Sequence, residues 1–335
     1  MKAKKILSAI LVICMVISAV PAVPALAADD TESPAFQVLE RVETIVYGST
    51  QGGGLLARLS NVERDVFGME LPGSLTERQT AMLNFLENGS ESQPSLLFKL
   101  SVAEWGVNQE INPETGIVHR VDAMESLVEG TVQGGAYAAR VERIIGRLLP
   151  DGVVASTLEV PAGTVVKSQL TRELTVKTVK KDDPIILRLH EEIVVDGNLL
   201  APKGSRVFGH ISKVRPPRSF GRASEIEITF DSVESIGPST IPVVMGEAAK
   251  KAMEADAALI GAAGLSFAGA VLLGPLGLAT GVLVRGSDKP LKEGTLFYVE
   301  TAEPVTTTVY AIPPQIQRMV RPLSEDAPQG TVDLK

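Results

Sequence analysis

Residues 258–284, ALIGAAGLSFAGAVLLGPLGLATGVLV, run for 27 positions without a charge. A stretch this apolar has to leave water, into a membrane, into the protein's own interior, or against another copy. Crossing ~30 Å of hydrocarbon takes about 20 helical residues. Gly274-Pro275 divides the run into pieces of 16 and 9 residues, so a single span requires the helix to continue through Pro275. Gly277 and Gly281 form a GxxxG pair, and Ala270 with Gly274 a second pair of small residues four apart, spacings that let helices approach closely in lipid. A charged helix-like stretch, MGEAAKKAMEAD (245–256), leads in, and Arg285 and Lys289 close the far end. Three readings stand: a membrane-inserted kinked helix or hairpin, alone or in a ring of copies, a helix packed against the protein's own β domain, or a glycine-rich flexible or self-associating segment. Under the first, Gly261, Leu265, Ala270, Leu272, Gly274, Pro275, Gly277 and Gly281 are the membrane-inserting residues.

A second apolar run opens the chain. MKAKK supplies a positive start, ILSAILVICMVISAV an apolar core and PALA a small-residue end, the pattern of a secretory signal peptide cut near Ala27 or Ala28. Cys14 lies inside it without the small residues of a lipidation site before it. Removing the first 28 of 335 residues leaves 307, room for about two domains, with no cysteine. An exported chain without disulfides is held by packing or by partners. Losing Lys2, Lys4 and Lys5 leaves 29 basic against 40 acidic residues, a formal charge of −11. Spread acidity with few aromatics argues against nucleic acid, which selects a clustered basic face.

Between about 36 and 150 a short unit recurs. FQVLERVETIVYG (36–48) aligns with LLARLSNVERDVFG (55–68) at an offset of 20, matching Leu39, Val42, Glu43, Val46, Tyr47 and Gly48 to Leu59, Val62, Glu63, Val66, Phe67 and Gly68. Weaker copies occupy 121–130, through Val121, Met124, Glu125, Val128 and Gly130, and 138–146, through Val141, Glu142, Ile145 and a shifted Gly146. Apolar residues at i, i+3 and i+7 share a helical face, and a trailing glycine suits a left-handed C-cap. Each unit reads as a short amphipathic helix that cannot bury its face alone. Leu39, Val42, Val46, Leu59, Val62 and Val66 are therefore expected to pack the helices into a bundle, or else to form an exposed stripe that recruits another protein. Gly52, Gly53 and Gly54 lack the Lys-Ser/Thr ending of a phosphate loop and read as a turn.

After Pro150 the texture becomes β. VPAGTVV (160–166), APKGSRV (201–207) and KEGTLFYV (292–299) each place turn residues before a β-branched or aromatic run. EIEITFD (225–231) and PIILRLHEEIVV (184–195) alternate apolar with polar, as half-buried strands do. Many short strands with Gly/Pro turns predict a small antiparallel barrel or sandwich.

The order of these motifs resembles the C-terminal β-barrel domain of TrbI-type subunits, the outer-membrane core-complex proteins of conjugation and type IV secretion. The matching stretches are VPAGTVV, EEIVVDGNLLAPKGSRVFGHI and SFGRASEIEITFDSVESIGPSTIPV, with the family's turn motifs falling on Pro161–Thr164, Ala201–Ser205 and Phe220–Ala223. The resemblance covers about residues 156–310. It implies a barrel carrying an inserted helical hairpin that enters the outer membrane, in the place the uncharged run occupies here. This chain departs from the family in having a cleavable-looking signal and a helical region, where TrbI-type subunits keep an inner-membrane helix and a Pro-rich linker.

Catalytic motifs are absent: there is no G-x-S-x-G, no H-E-x-x-H and no reactive cysteine. His119, His190 and His210 are the only histidines. His190 and His210 are predicted on neighbouring strands, with Glu191 and Glu192 adjoining the first, but two histidines without a defined third ligand do not make a metal site. Basic residues gather in KVRPPRSFGR (213–222), where Lys213, Arg215, Arg218 and Arg222 either contact an anionic glycan or lipid or belong to a solvated hairpin loop.

The sequence thus predicts an α+β multidomain chain: a signal at 1–28, a helical repeat region at 29–150, a β-barrel-like domain at 156–310 with an apolar helical insertion at 246–285, and a flexible C-terminal tail at 311–335. The expected role is a non-enzymatic cell-envelope scaffold or channel-assembly component, exported to the periplasm or envelope and membrane-associated, at the outer membrane by resemblance. Its expected partners are membrane lipid and further copies or other envelope proteins. No cofactor, metal, nucleic acid or small-molecule substrate is expected. The alternative is a cell-surface module that holds wall glycan or another protein through the helices. N-terminal sequencing of the exported protein is expected to begin near Ala28 or Asp29. Finding Met1 instead would make the first run an anchor.

Overall fold

The computed structural model describes residues 33–216, 224–262, 282–286 and 290–314. The signal, Arg218, Arg222 and most of the C-terminal tail lie outside these residues, as does the uncharged run from 263 to 281. The described chain is a mixed α+β protein with seven helices and a closed six-stranded antiparallel barrel.

Six helices come first: α1 (Pro34–Tyr47), α2 (Leu55–Phe67), α3 (Leu75–Leu83) with a π-helical turn Asn84–Asn88, α4 (Leu96–Asn108), α5 (Ile117–Glu129) and α6 (Tyr137–Leu148). The i, i+3, i+7 spacing sends Leu39, Val42, Val46, Leu59, Val62 and Val66 to 0% exposure in one apolar core, which also takes in Leu100, Val121, Met124, Val141 and Ile144. Gly48 and Gly68 end α1 and α2 at φ 82° and 80°, the left-handed conformation a side chain resists. α3 begins with a capping box between Ser74 and Glu77.

The glutamates aligned with these stripes do not face water. Glu43, Glu63 and Glu125 are 0% exposed and Glu104 5%. Each carboxylate takes a two-pronged guanidinium from the following helix: Arg58 on Glu43 (2.9 and 2.7 Å), Arg78 on Glu63 (2.9 and 2.5 Å), Arg120 on Glu104 (2.9 and 2.6 Å), Arg140 on Glu125 (3.0 and 2.6 Å). In three of the four, a loop N–H eight residues on also donates: Gln51 to Glu43, Leu71 to Glu63, Gln133 to Glu125. Burial works to raise the Glu125 carboxyl, but the Arg140 and Gln133 hydrogen bonds, with Arg143 nearby, hold it below its ordinary value. Two expectations need correction. Glu142, aligned with these glutamates, is 55% exposed and pairs with Lys99 (2.5 Å), and Gly146 lies inside α6 instead of ending it. Conversely α4, which the repeat alignment omits, carries the buried Leu100, Ala103 and Glu104, and ends at Gln109 with φ 57° where the other units have glycine.

Eleven strands follow: β1 (Ala155–Val160), β2 (Val165–Leu170), β3 (Pro184–Leu189), β4 (Ile193–Val195), β5 (Asn198–Ala201), β6 (Arg206–Arg215), β7 (Ser224–Glu234), β8 (Thr240–Val244), β9 (Val282–Gly286), β10 (Leu296–Thr301) and β11 (Val305–Ala311). Between β8 and β9 comes α7 (Glu247–Ala262). The order β6-β3-β2-β10-β8-β7 closes because β7 also pairs with β6. Its interior holds Val166, Leu187, Val207, Ile228, Val233, Ile241 and Val299. A second sheet, β1-β11-β5-β4, lies beside it. The stretch 184–195 is two strands in different sheets, broken at His190-Glu191-Glu192, although its alternation reads as one. Glu225, placed by alternation on the solvent face of β7, is 7% exposed, neutralised by Lys213 (3.0 Å) and Arg215 (3.3 Å) across the ladder.

A third apolar cluster joins the helices to the strands. Phe98, Val102, Trp105 and Ile111 meet Ala155, Leu199, Ile236 and Tyr310. Trp105, the single tryptophan, sits edge-on to Tyr310 at 6.2 Å and donates its indole N–H to Glu192 (2.5 Å). The Ile111 N–H donates to the Lys203 carbonyl (2.9 Å).

Glu63→Ala strips the half-buried Arg78 of its bidentate partner and the Leu71 N–H of its acceptor. Loss of one member of a buried pair costs about 3–5 kcal/mol, so a large drop in the urea midpoint is expected. Glu142→Ala, at an exposed pair, is expected to stay within about 0.5 kcal/mol.

Candidate functional site

The best-defined constellation is the seat of α7, the helix that leads into the uncharged run. Met245 and Gly246 connect β8 to α7. A Cβ on Gly246 would stand 1.9 Å from Glu300 Oε1, so only glycine lets the β10 carboxylate come this close. Glu300 Oε2 then accepts the Ala249 N–H (2.7 Å), placing a negative charge on the positive end of the helix. One turn later the helix buries an apolar edge: Ala249 is 0% exposed, and Ala252 and Met253 pack on the barrel core. Asp256, a further turn along the same face, is held by two side chains. Lys167 Nζ donates at 2.7 Å and the Tyr298 hydroxyl at 2.6 Å, both to Oδ2. Lys167 on β2 and Tyr298 on β10 are direct cross-strand partners, and the ammonium lies 5.6 Å from the centre of the Tyr298 ring. Lys167 also donates to Glu191 (2.6 Å).

The electrostatics follow from this geometry. The hydrogen bonds from Lys167 and then Tyr298 hold the Asp256 carboxyl below its ordinary value, against some burial. Burial, reinforced by the bond to Asp256, pushes the Tyr298 phenol up to about 12. Burial works against the charge on Lys167, but its bonds to Asp256 and Glu191 raise it well above the usual range. His190, hydrogen-bonded to Gln169 (3.0 Å), is lowered by burial and by the charge of Lys167. The arrangement is a clamp. Lys167, Asp256 and Glu191 are joined in one chain of contacts.

Of the eight residues assigned to membrane insertion, Gly261 lies in the last turn of α7. Leu265, Ala270, Leu272, Gly274, Pro275, Gly277 and Gly281 lie outside the described residues. Among the described residues, no helix is long and apolar enough to cross a membrane. Of the four cations of the basic loop, Arg218 and Arg222 lie outside the described residues. Lys213 is engaged by Glu225 and Glu227 and Arg215 by Glu225, so a ligand anion would compete with carboxylates already in place. The histidines do not converge: His190 follows one end of β3, while His210 opposes Pro184 at the other and bonds Asp231 (3.1 Å). Among the described residues no group of three or more His, Cys, Asp or Glu is arranged to hold a metal ion.

A polar cleft of about 370 Å³ lies where the helices meet the barrel, lined by Arg41, Glu87, Glu114, Arg206, Phe208 and Glu234, among others. Its charges are consumed in pairs, Arg41 with Glu87 and Arg206 with Glu234. Sequence reading had no means to find either feature. The clamp joins residues 89 and 42 positions apart, and only the strand register brings them together. A scan against protein-family models and a search of curated proteins each found no match to this chain.

The depressed Asp256 carboxyl sets a pH signature. Its unfolded value is about 3.9. A group lowered on folding contributes stability above that value and loses it as pH falls through the folded one. Asp256→Asn is therefore expected to lower Tm near neutral pH, by on the order of 2–4 °C, the shift about 1 kcal/mol produces in a domain of 150–250 residues. The difference from the native protein is expected to shrink below about pH 4. Equal differences at pH 7 and pH 3 in scanning calorimetry would show that the clamp owes nothing to the charge.

Proposed function

We propose that this chain is a non-enzymatic cell-envelope protein, a membrane-associated scaffold or channel-assembly subunit whose uncharged run enters a membrane. The observation that carries this reading is where the run sits. The barrel's hydrogen-bonded ring is complete without residues 263–281. They join α7, seated at its first turn and at Asp256, to β9, and β8 and β9 are both paired to β7. A segment that the barrel does not need, held at both ends by the barrel, suits an element that works outside it. The resemblance to TrbI-type barrels, where a helical hairpin occupies this place, supports the same reading, as does the signal-like first run. We take the helices to descend from a repeated unit defined by the buried Glu and the Arg 15 or 16 residues later.

The alternative, a surface module binding wall glycan or another protein through the helices, has to use their outer faces. Leu39, Val42, Val46, Leu59, Val62 and Val66 are spent on the helical core.

Replacing 263–281 by a short Gly/Ser linker, with α7 and β9 kept, is expected to leave the barrel folded. It is also expected to move the protein from the membrane fraction to the soluble one after a carbonate wash. Leu272→Arg is expected to weaken insertion by roughly 2.5–3.5 kcal/mol. A deletion that unfolds the β domain would make the run a core element. One that folds and still sediments with membranes would place the anchor elsewhere.

A further inference from the structure

The cleft between helices and barrel, about 370 Å³, falls in the range of small-molecule pockets, roughly 300–1,000 Å³. All the residues lining it are among those described. One of them is Ser205, 1% exposed, whose Oγ has no hydrogen-bond partner. Buried hydroxyls are nearly always bonded, and this one does not sit on a loose turn. The Ser205 N–H donates to the Pro202 carbonyl (3.1 Å), and its own carbonyl accepts the Leu189 N–H (2.8 Å). Gly204 beside it has φ 90°. A Cβ there would stand 2.1 Å from the Ile111 carbonyl oxygen, so only glycine lets the turn press against the helical region. The chain fixes the serine at the cleft and supplies no partner for its hydroxyl.

The charges around it narrow what that partner can be. The lining carries three arginines, Arg41, Arg120 and Arg206, and three glutamates, Glu87, Glu114 and Glu234, and each has an ion-pair partner. An ion entering the cleft would have to displace one half of such a pair and leave the other uncompensated. Hydrogen-bonding capacity is not used up in the same way. Arg41 and Arg206 bind Glu87 and Glu234 through Nε and Nη2. Nη1 of each guanidinium keeps two N–H groups, and each carboxylate keeps lone pairs. The two forks are near each other. The Arg206 guanidinium is raised chiefly by its bond to Glu234, against burial, and Glu114 and Glu87 add to the rise through space. Donors beside acceptors with no net charge match hydroxyl groups, which donate and accept through one atom. We propose that this cleft binds a neutral, polyhydroxylated ligand, a saccharide unit, whose hydroxyls bond Ser205 Oγ and the Arg41–Glu87 and Arg206–Glu234 forks. This site uses neither the uncharged run nor the outer faces of the helices, so it stands or falls apart from the membrane role.

Equilibrium dialysis of the full chain against labelled trisaccharides of glucose, xylose and N-acetylglucosamine is expected to show saturable binding of at least one of them. Ser205→Ala removes no hydrogen bond made within the protein, so it is expected to keep the native Tm and to weaken that binding several-fold. Arg41→Gln, at a side chain 64% exposed, is expected to weaken it similarly by breaking one fork. Ser126→Ala, whose exposed hydroxyl bonds the Asp122 carbonyl on α5, is expected to leave it unchanged. Saturable binding of none of these saccharides, or an affinity unchanged by Ser205→Ala or by Arg41→Gln, overturns the proposal. So does a lower Tm for Ser205→Ala, which would mean that the hydroxyl already has a partner such as a buried water. Displacement of the saccharide by sulfate, spermidine or a neutral tripeptide at concentrations below those of the saccharide itself also overturns it, and would assign the cleft to an ion or a peptide.

Discussion

Strand β7 is longer than a barrel wall requires, and the rest of the β domain is arranged around that excess. Its last residues, Ser232–Glu234, pair with β8 and complete the barrel. Its first, Ser224–Ile228, lie past the end of β8 and pair with β9 instead, while Ile226 and Ile228 still reach the apolar core. β6 accompanies it over almost the whole length, with two register shifts. One strand therefore fastens both ends of the insertion that separates β8 from β9. A tether of this kind decouples the two parts. The β7 ladder holds the chain at β9 and the clamp holds it at α7, each independently of the barrel ring.

In the helical region the organising interaction is the buried carboxylate. Taking a Glu–Arg pair out of water costs more than the Coulomb attraction alone returns, unless the remaining lone pairs are satisfied. Here two guanidinium N–H groups and, in three units, a loop N–H satisfy them. The consequence is geometric more than energetic. The loop N–H must arrive eight residues after the Glu and the Arg about seven later, which fixes the loop's length and the next helix's phase. A chain with no cysteine after its first run thereby obtains defined helix–helix spacing without a covalent link.

Much of this was legible in residue type and spacing. The apolar stripes could be read because burial at i, i+3 and i+7 is written in the side chains themselves. The glutamate at the matched position was visible too, but Arg58, Arg78, Arg120 and Arg140, spaced by nearly the same interval, were the unread half of the signal. α4 was missed because Gln109 takes the left-handed turn in place of glycine. The β stretch 184–195 was misread for a different reason. Ile193 returns to the phase of Ile185, Leu187 and Leu189 after one interruption at Glu191, and the break at His190 comes from pairing with two different sheets, which one strand's sequence does not encode. Barrel closure, the buried Glu225 and the Lys167–Asp256–Tyr298 clamp all depend on pairings distant in sequence, and local pattern says nothing of them.

The clamp also accounts for where the apolar run begins. Asp256 is the last charge before Arg285. Left unpaired at the edge of an apolar segment, its carboxylate would resist transfer out of water. Satisfied by Lys167 and Tyr298, it stays on the barrel, and the barrel side of the boundary is fixed at that turn of α7. Glu300 performs the matching task one end earlier, holding the first turn by its free N–H groups. The helix between them spends its inward edge on Ala249, Ala252 and Met253 and leaves Lys251 and Glu254 to solvent. Such a helix gains nothing by leaving the barrel for lipid. In the proposed envelope role α7 is therefore the fixed mount, and any insertion starts beyond Asp256, at the point where the charges stop.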